Sequence, residues 1–582
     1  MYPSINYRVM STHDDKNGER STSSRTQGTI LVSPPISIGA FKRKSIESRY
    51  YGKSVSLQQY GTPREQYGTP REQYGTPREQ YGSPRISYGS SSPGSFITGS
   101  PNYGLKSVDT FMDYYHKNKS NELDPLSEHL LHRTKQILKG KFQVDNDVCV
   151  PFQETVDIGN LFSLNGIEYN TTQVKYFIDK LVKKTKMGND NYKFNHLDPG
   201  YTDCTLMADL FIKSLNRNMY IYDNEYIYTV TEYAIQKEIE KMIGFHEPIF
   251  TFADTAIIGT MYALHLARSN KGLTAYDNVK IFVSADANCV INKAVALLGM
   301  RRESIIRVNT DRYGRMNKEH LLTLIIRCTK IKGVVPLMII GTAGTPILGM
   351  IDDISSIGDI AKRYSMWYHI DAMWGGSYIF NKKTNELLKG LNMGDSILLN
   401  LFQMIKIPDV LPMFICREKD MDLLSSYDIS YMYVDEEVHT WRSDIDTSDM
   451  YINSRKNREI FKLWFYWKTC GHTFADMVQK NVENSRYFIF KIKDIPEISL
   501  IHDRPDLPNV CFTMTPLTLK NADKNTIDSW TRKKWEQLKN SKCIVSIMKK
   551  GNSRLFFRLV FCNPDMSYES IDALIRVLST EN

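Results

Sequence analysis

The sequence predicts an α/β fold, with a mostly parallel sheet covered on both faces and a small α+β domain behind it. Three observations predict it. First, short apolar runs alternate with amphipathic helical stretches through the middle of the chain, the pattern of strands buried on both faces. Second, after about Asp449 the character changes to an aromatic helix and a set of short strands. Third, Trp367-Tyr-His-Ile-Asp-Ala-Met-Trp-Gly-Gly376 reads as a strand that delivers His369 and Asp371 at its C-terminal end, with a Gly-Gly turn behind them. In an open α/β sheet that end is where ligands sit.

Taken in order, residues 1–104 are low in Leu and Val and rich in Ser, Gly, Pro, Tyr and Arg. Such a segment cannot bury enough apolar surface to offset its ordering entropy, so a disordered tail is expected. It contains a repeat, Tyr60-Gly-Thr-Pro-Arg-Glu-Gln66, then residues 67–73 and 74–80, then a decayed copy at Tyr81-Gly-Ser-Pro-Arg85. The period is seven, but Gly and Pro in every unit and the lack of an apolar seam exclude a coiled coil. Thr62, Thr69, Thr76 and Ser83 each precede Pro, where phosphorylation would lower the tail's positive charge. Residues 105–200 read as a largely helical segment, with Leu126, His129, Leu130, Ile137 and Leu138 on one 3.6-residue stripe. Phe194-Asn-His-Leu197 opens the large domain, residues 201–450.

Within that domain Tyr233 to Ile243 is a charged amphipathic helix. Strands follow at 279–284, 305–308, 336–341, 367–370 and 397–401, with helices at 293–298, 318–328 and 354–364 between them. In the small domain, residues 451–582, an aromatic helix spans 461–467. Strands are expected at 509–513, 543–547 and 555–561, with a last helix at 568–578.

Length and composition narrow the function. At 582 residues, 42% hydrophobic and 24% charged, the chain is an ordinary large globular protein. Its nine cysteines stand singly, without a Cys-x-x-Cys pair, which argues against a zinc site or a disulfide framework and for a reducing compartment. No secretory h-region and no membrane-length apolar run is seen, so a cytoplasmic protein is expected. Net charge is +9, and residues 1–100 hold 13 basic and 7 acidic residues, a surplus of 6. The basic surplus therefore lies mostly in the tail. No nucleic-acid partner is expected for the folded part, and the tail's partner stays open among RNA, acidic lipid and an acidic protein.

The strand at 367 and the later run Asn400-Leu-Phe-Gln403-Met-Ile-Lys-Ile-Pro408 together resemble the group II pyridoxal-phosphate-dependent decarboxylases. Among these, the animal glutamate and cysteine-sulfinate decarboxylases are the most similar. There the segments read His-x-Asp-Ala-Ala-Trp-Gly-Gly and Asn-Pro-His-Lys-Met. The resemblance spans roughly Leu105 to Leu578. It implies the fold type I, aspartate-aminotransferase-like architecture and a dimer whose N-terminal arm packs on its partner. It also implies pyridoxal phosphate as the cofactor. Asp371 then falls on the acid that holds the pyridine nitrogen, and Gln403 on the Schiff-base lysine.

Other positions depart from the family as well. Its stacking His falls on Asn288, within Ser284-Ala-Asp-Ala-Asn288. The Gly-Gly pair of its phosphate cradle becomes Thr255 and Ala256, beside Asp254. Met373 replaces an Ala that lies against the ring face. Arg558, in Phe556-Phe-Arg-Leu-Val560, matches the arginine that grips a substrate carboxylate. Asn195 matches the Asn of Phe-Asn-Gln-Leu, with His196 at the Gln. Asp446-Thr-Ser-Asp449 resembles the Asp-Thr-Gly-Asp behind the mobile loop, which puts Trp441 at the family's Tyr proton donor and His439 nearby.

An amide nitrogen has its lone pair in the carbonyl π-system and forms no imine, whereas a neutral lysine amine does. Lys406, three positions on, is displaced by several ångströms, and ~1 Å of misplacement already costs ~100-fold in rate. The expectation is a fold without confident catalytic residues and without a covalently bound cofactor. It would act as a homodimer, or as a heterodimer that regulates an active homologue. An active acidic-amino-acid decarboxylase is the alternative, recognised by carbon dioxide release. A scaffold working through its tail is the third reading, recognised by loss of function on deleting residues 1–104.

Overall fold

A computed structural model describes residues 125–138, 171–184, 192–195, 197, 199–215, 222–246, 248–407, 411–417, 450–452, 459–541 and 543–580. All of them fall in one compact unit, Thr98–Asn582. Helices α1 (Pro125–Leu138) and α2 (Thr171–Lys184) pack on each other, tied by Arg133 Nε to Asp179 at 2.6 Å. Helices α3 (Asp203–Leu215) and α4 (Tyr222–Ile243) lead into the large sheet.

That sheet has seven strands: β1 (Pro248–Phe252), β2 (Val279–Ser284), β3 (Ile305–Val308), β4 (Val335–Thr342), β5 (Trp367–Ala372), β6 (Ser396–Leu399) and β7 (Met413–Arg417). Their order is β1-β7-β6-β5-β4-β2-β3. β3, β2, β4, β5 and β6 run parallel, while β7 is antiparallel to both its neighbours. The chain steps outward from β2 to β3 and then returns to β4 on the other side. The carboxyl ends of β2 and β4 therefore flank a topological switch point, the place where open α/β sheets bind ligands.

The connecting helices form for legible reasons. In α8 (Ile354–Arg363), Asp353 caps the start by accepting from Ser356 N–H at 3.1 Å. Such a cap contributes about 1 kcal/mol. Ile354, Ile357, Ile360 and Ala361 recur at helical spacing and are buried, and Lys362 and Arg363 complement the dipole at the last turn. Asn317 caps α7 (Lys318–Thr329) in the same way, at 2.7 Å from His320 N. Helices α5 (Ala256–Asn270) and α6 (Val290–Leu297) help cover the sheet's other face.

A second sheet, β10-β11-β9-β8, is antiparallel throughout: β8 (Ile498–Leu500), β9 (Asn509–Met514), β10 (Ser546–Met548) and β11 (Phe556–Val560). It is covered by α10 (Phe474–Ile492), α11 (Lys524–Asn540) and α12 (Tyr568–Ser579). This gives the α/β and α+β parts expected. The structure departs from the sequence reading in several particulars, among them a strand expected at 397–401 that runs Ser396–Leu399. Phe194 does not open the large domain: its ring packs in the small-sheet core, and its backbone bonds Ile544 and Val560. The aromatic helix α9 (Glu459–Cys470) buries Ile460, Leu463 and Tyr466 in the large-sheet core, because its apolar face points there. The strand expected at 543–547 begins only at Ser546, and Ile544 instead bridges Lys193.

The two sheets are joined by buried polar contacts. Trp374 Nε1 donates to Asn509 Oδ1 at 2.8 Å, Tyr378 Oη donates to the Asp506 carbonyl at 2.8 Å, and Leu507 N–H donates to the Gly349 carbonyl at 2.8 Å. Arg315 forks onto Asp506, with its closest approach 2.7 Å.

Candidate active site

Asp371 is the penultimate residue of β5, and its Oδ1 accepts the Met373 N–H at 3.0 Å. The carboxyl lies deep, with slight contact to solvent. Burial pushes its pKa up to about 6, and the Met373 N–H partly opposes this. His369, one turn of the pleat earlier, is 1% exposed. Its Nδ1 lies 2.9 Å from Ser396 Oγ, which also accepts from Trp367 Nε1 at 2.9 Å. Burial lowers its pKa to about 3, so the imidazole is neutral, and its Nε2 has no hydrogen-bond partner.

Two glycines explain how the turn behind Asp371 packs. A Cβ on Gly375 would meet the Ala343 carbonyl oxygen at 2.3 Å, and one on Gly376 would meet that of Asn400 at 2.4 Å. Only glycine allows these backbones so close. The Asp371 turn is thereby pressed against the turn after β6. Ser377 Oγ donates to the Leu401 carbonyl at 2.6 Å, and Asn400 Nδ2 to that of Met373 at 3.3 Å.

Gln403 sits in this second turn, a 3-10 segment over Phe402–Met404. Its Oε1 is buried and has no hydrogen-bond partner. An unmet buried carbonyl of this kind costs roughly 1–3 kcal/mol. Lys406 lies just beyond, in the left-handed region at φ 62°. Its Nζ is ion-paired with Asp565.

The void bordered by Asn288, Ile340, His369 and Asp371 holds about 10 Å³. That is space for one water at most. Met373 is 9% exposed and packs in an apolar cluster with Ile291, Ile340 and Leu398. Asn288 turns its Oδ1 onto Val290 N–H at 3.2 Å, at the start of α6. Thr255 is the N-cap of α5, its Oγ1 accepting from Ile258 N–H at 3.3 Å, and Ala256 is the first helical residue. Thr255 Oγ1 and Asn288 Oδ1 thus each accept one backbone N–H of the helix they precede, which leaves the Thr255 hydroxyl proton to donate.

At the far side, Arg558 on β11 is 5% exposed. Its Nη1 donates to the Asn195 carbonyl at 3.2 Å and its Nη2 to the Pro346 carbonyl at 2.6 Å. Its Nε is buried without a partner, and no carboxylate pairs with it among the described residues. Burial lowers its pKa, yet a guanidinium stays charged. Asn195 Oδ1 is likewise buried and unpartnered. The surface ion pair that an arginine on such a strand usually makes is absent from the described residues. His196, His439, Trp441 and residues 446–449 lie outside the described residues. Ser396 and Asn509 escaped the sequence reading as contact makers. Each is a polar residue at the head of an apolar strand run, which is the signal that marks them.

The switch point, the strand-end acid and the arginine on the second sheet define a protein built on the fold of pyridoxal-phosphate-dependent lyases. The comparisons with known proteins agree. Residues 174–515 match the pyridoxal-dependent decarboxylase conserved domain, and the chain belongs to that family. It is 28% identical over 400 residues to the acidic amino acid decarboxylase GADL1 of Homo sapiens, covering 66% of this chain and 76% of that protein. It is 26% identical over 404 residues to the cysteine sulfinic acid decarboxylase of Mus musculus, covering 67% and 81%. The fold is similar to the crystal structure of mouse CSAD in apo form, with a TM-score of 0.69 at 23% identity, over 78% of this chain and 98% of that one. It is also similar to Oryza sativa TDC with PLP and tryptamine, with a TM-score of 0.67 at 16% identity, over 83% and 98%. Among the described residues, no helix is long and apolar enough to cross a membrane.

The family's cofactor meets a poor fit in this chain. Gln403 presents an amide, Lys406 is engaged by Asp565, and the void beside Asp371 has room for one water at most.

Proposed function

We propose that this chain is a decarboxylase-family protein without lyase activity of its own, and without a covalently held cofactor. The observation that carries the reading is Gln403 in the turn after β6, with Lys406 held by Asp565. A carboxamide cannot capture an aldehyde. Asn288, with no aromatic face, borders the void beside Asp371 and supports the same reading.

What this site does is bind rather than react. Arg558 Nε and Asn195 Oδ1 are buried with unmet hydrogen-bonding capacity, which suits a carboxylate ligand bearing an amine or hydroxyl. The substrates in the relatives' names are acidic amino acids, and we assign that class to the ligand here.

The chain acts in a dimer, with a second copy or with a catalytic relative that it regulates. Leu210 (43% exposed) and Phe211 (45%) on α3, with Tyr226 (59%) and Ile227 (53%) on α4, leave apolar surface that a partner would cover. The protein is placed in the cytoplasm, a reading supported by eight free thiols among the described residues. The domain division is a tail to residue 104, an arm to 200, a large domain to 450 and a small one to 582, with Phe194 joining the small sheet and α9 the large one.

One experiment tests the central claim. The purified full chain is incubated with pyridoxal phosphate and reduced with borohydride, and the digest is searched for pyridoxyl-lysine. Carbon dioxide release from aspartate, glutamate and cysteine sulfinate is followed in parallel. No adduct in the 400–407 turn and no release above the protein-free rate is expected. A pyridoxyl adduct on Lys406 with turnover would falsify the reading in favour of an active decarboxylase. Co-purification with a catalytic relative supports the pairing, and a strict homodimer that ignores such a relative overturns the regulatory part.

A further inference from the structure

A second cleft lies where the two sheets meet, apart from the site above. It encloses about 440 Å³, within the ~300–1,000 Å³ range of small-molecule sites. None of Asp371, Asn288, Gln403 or Arg558 borders it. The turn after β3 supplies Arg312, the β10–β11 hairpin supplies Lys550 and Arg554, and the β8–β9 loop supplies His502.

Three basic residues, Arg312, Lys550 and Arg554, formally balance three acidic ones, Asp286, Asp311 and Asp503, but they are not evenly paired. Asp311 on the rim is engaged by backbone, its Oδ1 accepting Tyr313 N–H at 2.8 Å and Arg315 N–H at 3.0 Å. Lys550 is paired with Asp286 at 2.6 Å, and Asp503 faces His502 from the same loop. Arg312 rests on the Tyr313 ring at 4.6 Å and bonds its hydroxyl. Neither Arg312 nor Arg554 has a carboxylate partner among the described residues. The floor is different in kind. Leu348, Ile501 and Phe556 come from the apolar cluster that seals the sheet junction.

Two arginines without carboxylate partners and an apolar patch in one lining suit one ligand chemistry. We propose that this cleft binds a small organic anion, with a phosphate or carboxylate head on a compact apolar body. Each guanidinium presents paired N–H donors in a planar fork that matches such a head, which a lysine ammonium does not. The body lies on Leu348 and Phe556 and removes their surface from water. Because the lining comes from both sheets, the bound anion touches both lobes at once.

Isothermal titration of the full chain tests this, with phenyl phosphate, benzoate and inorganic phosphate as separate probes. Saturable one-to-one binding of phenyl phosphate or benzoate is expected, and the tighter of the two identifies the head group. Inorganic phosphate, lacking the body, binds at least roughly tenfold more weakly. The pair of substitutions Arg312→Ala and Arg554→Ala weakens the better probe by roughly tenfold or more, and Arg554→Lys alone weakens it less. Arg558→Met leaves this binding unchanged. Both altered arginines are on the rim, and a circular-dichroism melt confirms that the variants fold. The proposal is overturned by an absence of saturable heat with both organic probes, or by undiminished affinity in the double variant. It is equally overturned if binding disappears in Arg558→Met, which would move the ligand to the other site.

Discussion

The two ends of the candidate site are held in different ways. At the end nearest α5 and α6, side-chain oxygens accept from local backbone: Thr255 caps α5, and Asn288 takes the Val290 N–H. Lys406 is likewise taken up by Asp565. At the end nearest β11, Arg558 Nε and Asn195 Oδ1 are buried with nothing to bond. A folded chain tolerates unmet buried polar groups at a cost of roughly 1–3 kcal/mol each. His369 Nε2, in the void beside Asn288 and Asp371, is unmet as well, so the contrast is one of kind: the arginine end leaves a charged donor and an amide oxygen open together. Gln403, with its own unmet carbonyl, lies in the turn after β6.

The comparison can be broken most directly at Arg558. Arg558→Met should weaken glutamate binding, measured by calorimetry, by roughly 100-fold or more, as expected when a buried charge partner is removed. Unchanged affinity would show that the arginine end is structural after all. A second test uses pH. Asp371 has a folded pKa of about 6, raised by burial, against ~3.9 when unfolded. The folded state holds this proton more tightly. The group's contribution is therefore fully present below pH ~4 and is lost as pH rises through about 6. Asp371→Asn, which keeps an acceptor for Met373 N–H, should be more stable than the parent by about 2–3 kcal/mol above that window and nearly equal below it. Urea denaturation across pH checks this, and a pH-independent difference would contradict it. The smallest effect belongs to the helix end. Thr255→Ala should lower stability by about 1 kcal/mol through loss of the α5 cap. It should leave glutamate binding alone, and a large binding defect would mean that Thr255 does more than cap.

Much of the fold could be read from the chain because its central strands are buried on both faces. Val279–Ser284 and Ile305–Val308 coincide with apolar runs, and Val335–Thr342 and Trp367–Ala372 extend theirs by one or two residues. β1 and β7 went unseen. They pair antiparallel outside the βαβ alternation, and β7 follows Pro412, where no helix announces it. β8 is three residues long and carries no period. In the site, Asn288, Gln403 and Met373 could be picked out as single letters in a recognisable frame. Their hydrogen-bond fates could not, because these depend on which backbone group the fold brings near. Nothing in the order of residues says that Arg558 would meet the carbonyls of Asn195 and Pro346, from segments 363 and 212 positions away.

The stitching of residues 506–509 to the large sheet carries a kinetic meaning. Trp374, Tyr378, Arg315 and the Gly349 carbonyl all grip that short stretch. Swinging one lobe away from the other would require several shielded bonds to break together. A visiting molecule therefore meets a rigid receptacle, and its capture should follow a single exponential whose rate rises linearly with concentration, without the plateau of a slow closing step.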